Sequence, residues 1–241
     1  MRIREVLERK NSNYSAHAQV TALFLGDSIT HGAFEVFRGE HVEIDQIYDH
    51  EAVYHNQLKK KLANVFPNAP LNVINAGISG SNATFAFKRL DRDVFPYSLD
   101  LVVVCFGLND AGAGMEGMET YIKALGNIFQ RMNEKNVETI FMTPNMMNTY
   151  VSQLIQEDLL LSIANNTAKT QNSGIMDAYM DAARQVCAEN GIAVCDCYKK
   201  WKKLNEAGVD TTMLLSNHIN HPTREMHKLF ADSLYEMILN E

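Results

Sequence analysis

Apolar positions along this chain come in two patterns that take turns. Runs of consecutive apolar residues predict strands near 21–26, 71–76, 101–106, 138–143 and 192–196. Between them, apolar residues recur every three or four positions and predict helices near 51–65, 117–134, 176–190 and 222–239. The last helix carries Met226, Leu229, Phe230, Leu234, Met237 and Ile238 on one stripe. The helix at 117–134 does the same with Met118, Tyr121, Leu125, Ile128 and Met132. Such stripes are core-facing surfaces. Strands alternating with helices build βαβ units, so the pattern predicts an α/β fold with a parallel five-stranded sheet flanked by helices. No repeat, low-complexity tract or linker interrupts it. One domain is expected over 1–241, with 1–20 as an N-terminal extension.

Two stretches exceed what a minimal wind needs. Residues 31–50 form a long acidic connection bearing Phe34, Phe37, Glu40, Glu43, Asp45, Tyr48 and Asp49. Residues 145–175 are rich in Asn, Thr and Ser around a short apolar piece at Leu159, Leu160 and Leu161. Both leave from carboxyl ends of predicted strands, where ligands bind in open α/β sheets, so both are expected to overhang a site.

Composition narrows the function classes. A chain of 241 residues, 46% of them hydrophobic, can bury one sizeable core. The net charge of −7 argues against a nucleic-acid or anionic-membrane surface, and no apolar run reaches the ~20 residues of a membrane span. The first ten residues are charged throughout and lack the apolar region of a signal peptide, which leads to the expectation of a cytoplasmic protein. The four cysteines, Cys105, Cys187, Cys195 and Cys197, are expected to be reduced, with the Cys-x-Cys pair on one face of a strand. His31, His41, His50 and His55 lack a ligand spacing and are expected to face solvent. No metal or cofactor is anticipated.

Four short blocks carry the chemistry. Leu23-Phe24-Leu25-Gly26-Asp27-Ser28 is a strand that stops abruptly and presents a serine hydroxyl at its carboxyl end. Val73-Ile74-Asn75-Ala76-Gly77-Ile78-Ser79-Gly80-Ser81 runs from a strand into a glycine-rich turn. Leu101 to Asp110 is a strand ending in Gly107-Leu108-Asn109-Asp110. Near the C-terminus, His218-Ile219-Asn220-His221-Pro222 precedes the final amphipathic helix. In this order the blocks resemble those of the SGNH (GDSL-type) hydrolase family, which supply Ser, Gly, Asn and His, and the resemblance spans residues 23 to about 230. It implies a doubly wound, flavodoxin-like SGNH-hydrolase fold and a serine esterase.

The resemblance assigns roles. Ser28 would be the nucleophile and His221 its base. The oxyanion donors would be the backbone N–H of Ser28, the backbone N–H of Gly80 and the side-chain amide of Asn109. Gly77 is read as a turn glycine, Asp110 as the cap of the following turn, and Asp27 as a brace for the nucleophile loop.

One departure stands out. The family's last block is Asp-x-x-His, the acid orienting the histidine, yet His218 stands three residues before His221 and Asn217 four before. In a serine-protease triad, replacing the acid by its amide cost about 10⁴-fold in turnover. Three readings stay open: a Ser-His dyad with a backbone carbonyl or Asn217 orienting His221, an acid supplied from elsewhere with Asp210 nearest in sequence, or a degenerate enzyme. If the backbone keeps the family's course, His218 lies beside the imidazole of His221. The activity implied is carboxylic-ester hydrolysis. The polar overhanging stretches favour removal of a small acyl group such as acetyl from a carbohydrate or other small polar ester. The alternatives are a lipase or acyl-thioesterase of the same family, and a catalytically weak carbohydrate-binding relative lacking the triad acid.

Overall fold

The computed structural model describes residues 1–240. Its strands are β1 (Val20–Gly26), β2 (Ala33–Phe37), β3 (Asp45–Tyr48), β4 (Leu71–Gly77), β5 (Leu101–Cys105), β6 (Glu138–Met142) and β7 (Ala193–Cys195). Its α-helices are α1 (Arg2–Ser12), α2 (Ser28–His31), α3 (Tyr54–Val65), α4 (Ala83–Lys88), α5 (Leu90–Asp93), α6 (Leu108–Ala111), α7 (Met118–Glu134), α8 (Asp158–Asn172), α9 (Ile175–Asn190), α10 (Cys197–Glu206) and α11 (His227–Asn240).

Five strands form one parallel sheet in the order β4-β1-β5-β6-β7, flanked by helices in a single domain. Every residue of β5 and nearly every residue of β1 is buried, because helices cover both faces of the sheet. The chain leaves β1 for β4 on one side and then crosses to β5 on the other, which opens a crevice at the carboxyl ends of these three strands. Their register is level there. Gly26 pairs with Gly77 on one side and with Cys105 on the other. The segments that follow, carrying Ser28, Gly80 and Asn109, therefore emerge at one height.

Several expected elements take a different form. Residues 33–48 fold into a two-stranded antiparallel hairpin, β2 with β3, separate from the main sheet. Residues 158–172 are helical. The segment before Cys195 is only a three-residue strand, and Cys197 opens α10 with its sulfur 3.9 Å from that of Cys195, so the pair straddles a strand end. All four cysteines are free and buried. The final helix begins at His227, because Pro222 bridges back to Leu215 and holds 222–226 outside the helix. The N-terminal segment contributes a helix: Ile3 and Leu7 enter the core, and the Glu138 carboxylate accepts the N–H groups of Arg2 and Ile3 at the start of α1. His55, expected in solvent, is buried. It packs on Phe24 with ring centroids 5.2 Å apart, and its Nε2 bonds the Thr30 carbonyl at 3.1 Å.

Candidate active site

The nucleophile loop is a tight strand-to-helix turn. Asp27 is the N-cap of α2, its Oδ1 accepting the Ile29 N–H at 3.0 Å, and Ser28 follows as the first helical residue. A Cβ on Gly26 would sit 2.0 Å from Thr30 Oγ1, so only glycine lets the strand enter this turn. Gly77 serves a similar purpose and is not a turn residue. It ends β4, and a Cβ there would come within 2.2 Å of the His31 backbone nitrogen. Beneath both glycines the buried Arg89 donates to the Ala76 carbonyl at 2.8 Å and the Gly26 carbonyl at 3.2 Å, tying together the carboxyl ends of β4 and β1.

Gly80 has φ +75°, a left-handed conformation that glycine adopts without steric cost. Among the described residues, neither the Ser28 N–H nor the Gly80 N–H donates a hydrogen bond. Asn109 Nδ2 donates to the Ser81 carbonyl at 2.8 Å, which fixes the amide and leaves its second N–H free. The Asp110 carboxylate does not cap the turn that follows it. Its Oδ1 accepts the Ala83 N–H at 3.0 Å, at the start of α4.

Asn217 shapes the histidine block. Its Oδ1 accepts three backbone N–H groups, from Ile219 at 3.0 Å, Asn220 at 2.9 Å and His221 at 2.9 Å. It orients the backbone of His221 and leaves the ring to another group. That group is the carbonyl of Phe34, which accepts from Nδ1 at 3.0 Å. Because a carbonyl only accepts, the proton sits on Nδ1 and the Nε2 lone pair stays free.

His218 does not take the acid's place. Forced to φ +55° by the Asn217 turn, it is half-buried, makes no hydrogen bond to His221 and stays outside the cleft lining. Asp210 is engaged elsewhere, by the Tyr150 hydroxyl at 2.7 Å and the Thr212 N–H at 3.1 Å.

Ser28, Gly80, Asn109, Asn217 and His221 line one cleft of about 190 Å³. Its remaining walls are Gln46 and Asn220 on the polar side and Val36, Ile44, Leu160, Ile163 and Ile219 on the apolar side. The stretches at 31–50 and 145–175 are polar in composition, but they send several apolar residues into the cleft. Leu160, Ile219, Ile155 and Ala164, with Val36 and Ile163 packed against them, form a small hydrophobic cluster apart from the main core. Composition could not show this, since it does not say which residues of a loop turn inward. Sequence reasoning also passed over Ser79, whose hydroxyl donates to Gln46 Oε1 at 2.8 Å and bonds the Tyr48 hydroxyl at 3.1 Å, pinning the hairpin to the Gly80 turn.

Burial sets the electrostatics. It holds His221 down at about 4, so the imidazole is neutral and able to accept a proton at neutral pH. Burial raises Asp27 to about 7 and Asp110 to about 6, the charge on Asp110 adding to the shift of Asp27. At neutral pH these two acids behind the nucleophile resist sharing a full second negative charge.

The sequence matches the GDSL-like lipase/acylhydrolase family over residues 24–229, and the chain belongs to that family. Its class is that of ester hydrolases. No curated protein sequence matches the chain. Among solved structures, the acetyl xylan esterase AlAXEase is similar at TM-score 0.66 and 18% identity, over 91% of this chain and 100% of that one. The acetylxylan esterase Axe2 of Geobacillus stearothermophilus aligns at TM-score 0.65 and 21% identity, over 92% and 95% of the two chains. The α/β hydrolase LAE5, from the metagenome of Lake Arreo in Spain, aligns at TM-score 0.66 and 22% identity, over 92% and 95%. These likenesses concern the fold.

Proposed function

We propose that the chain hydrolyses small carboxylic esters through a Ser28–His221 dyad, removing a short acyl group such as acetyl from a carbohydrate or other small polar alcohol. One observation carries this reading: the Phe34 carbonyl on Nδ1 of His221 leaves Nε2 as a free base in the cleft that Ser28, Gly80 and Asn109 also line. Nε2 takes the Ser28 proton as Oγ attacks the acyl carbon. The oxyanion receives the N–H groups of Ser28, Gly80 and Asn109. The imidazolium then protonates the departing alkoxide, and water removes the acyl group from Ser28 by the reverse proton path.

The acetyl preference draws support from the acetyl xylan esterases that share the fold. The apolar wall formed by Leu160, Ile163, Ile219 and Val36 favours a second reading, a lipase-like or thioesterase activity on longer acyl groups. Covalent labelling by a fluorophosphonate tests the dyad. Ser28 in the wild-type protein should become phosphonylated and Ser28→Ala should not. Absence of labelling in a folded wild-type protein would support the non-catalytic, ligand-binding alternative.

A further inference from the structure

Arg224 lies three residues after His221 and reaches back to the same strand that orients it. Its guanidinium forks onto Glu35, Nη1 to Oε1 at 2.6 Å and Nη2 to Oε2 at 3.1 Å. Its Nε donates to Asp49 Oδ2 at 3.0 Å, and its Cζ lies 4.3 Å from the centroid of the Phe34 ring. The two segments are thus tied twice, His221 to the carbonyl of Phe34 and Arg224 to the carboxylate of Glu35.

The hairpin itself gives Phe34 little support. Ala33 pairs with Tyr48 and Val36 with Gln46, while the register shifts between them, so Phe34 and Glu35 fall in the irregular part of the ladder. The hairpin is also separate from the main sheet. A carboxylate has two oxygens and a charge with which to follow a moving imidazole, whereas a carbonyl offers one neutral dipole whose direction matters. A backbone carbonyl can therefore orient the base only if its own segment is held.

We infer that Arg224 is a positioning residue, whose clamp on Glu35, Asp49 and the Phe34 ring holds the Phe34 carbonyl against His221 in place of the family's acid. This inference rests on the dyad reading above. The Arg224 and Glu35 side chains each remain 38% exposed, and exposed ion pairs contribute little to global stability. The role is geometric. Planar, forked recognition of a carboxylate is a property of arginine that lysine does not share.

The charged and titratable groups around His221 are Glu35 on β2, Asp49 beyond β3, Arg224 on its own segment and His227 at the start of α11. Glu35 favours the imidazolium. Removing the guanidinium leaves that carboxylate uncompensated, and removing the carboxylate leaves the guanidinium in excess. The two changes should move the acid limb of the activity profile in opposite directions.

The experiment compares wild type, Arg224→Met, Arg224→Lys and Glu35→Gln on p-nitrophenyl acetate, with thermal melting as a control. Arg224→Met should lower kcat by about ten- to hundredfold at nearly unchanged KM, as a misplaced reacting group would. Arg224→Lys should recover only part of this loss. The acid limb should shift upward in Arg224→Met and downward in Glu35→Gln. A wild-type kcat in Arg224→Met, a loss confined to KM, limbs that move together, or full rescue by lysine would each overturn the clamp. If wild-type protein labels at Ser28 and turns over while Arg224→Met is unaffected, the clamp fails and the dyad stands. If wild-type protein neither labels nor turns over, both fail.

Discussion

The Nδ1–H of His221 donates to the carbonyl oxygen of Phe34 at 3.0 Å, joining residues 187 positions apart. The bond places a backbone carbonyl, and no carboxylate, on this ring nitrogen. A neutral dipole does less to stabilise an imidazolium than a carboxylate would.

A depressed base has a visible pH signature. His221 must be neutral to accept the Ser28 proton, and burial lowers it from the ordinary 6.5 to about 4. The acid limb of kcat/KM is therefore expected with its midpoint at about 4. A midpoint at the ordinary histidine value, in protein still folded by circular dichroism, would show that His221 is solvated or is not the base.

Asn109→Ala is expected to lower kcat by roughly 10²–10³, the cost of one oxyanion donor, with KM nearly unchanged. Steady-state kinetics on an acetyl ester checks this. A change confined to KM would make Asn109 a ground-state contact.

His218 sits at φ +55°, where a side chain with a Cβ is strained, and it lies outside the cleft. His218→Gly is expected to raise stability by roughly 0.5–1 kcal/mol while leaving turnover unchanged. His218→Asp should not increase turnover, because the residue does not bond His221. A gain with aspartate would mean that the two side chains meet during the reaction.

Asp27 links the nucleophile loop to pH. Its folded-state value is raised from 3.8 to about 7 by burial, so folding favours the protonated form. Stability from this group is fully present below 3.8 and is lost as pH rises from there to about 7. Asp27→Asn stays neutral and keeps an oxygen to cap Ile29. Its melting temperature should exceed that of wild type at about pH 8, and the advantage should shrink at about pH 5. A difference independent of pH would show that Asp27 ionises freely in the folded protein.

Acyl-chain selectivity tests the apolar wall. Acetyl esters should be cleaved faster than octanoyl esters by wild type, and Ile163→Ala should narrow that ratio by about tenfold through the space it opens beside Leu160. A wild-type preference for octanoyl would transfer the assignment to the lipase-like reading.

The alternation of apolar runs and amphipathic stripes was enough to determine the α/β class, the five sheet strands and the helices α3, α7, α9 and α11. Burial on both faces of a strand, or on one face of a helix, leaves a period in the residues themselves. The strands that lead to Ser28, Gly80 and Asn109 left the same trace, whereas these residues themselves were singled out by the resemblance of their blocks to the SGNH hydrolases. Other features left no such trace. The hairpin at 33–48 and helix α8 lie in stretches whose polar composition hid the few residues that turn inward. The orientation of His221 was decided only by tertiary structure. The group that holds it is a backbone carbonyl, which every residue carries, and the Arg224 clamp lies across a contact between distant segments. Side-chain identity encodes what a residue can do, but which carbonyl faces which imidazole depends on how β2 is laid against the segment that follows Asn217.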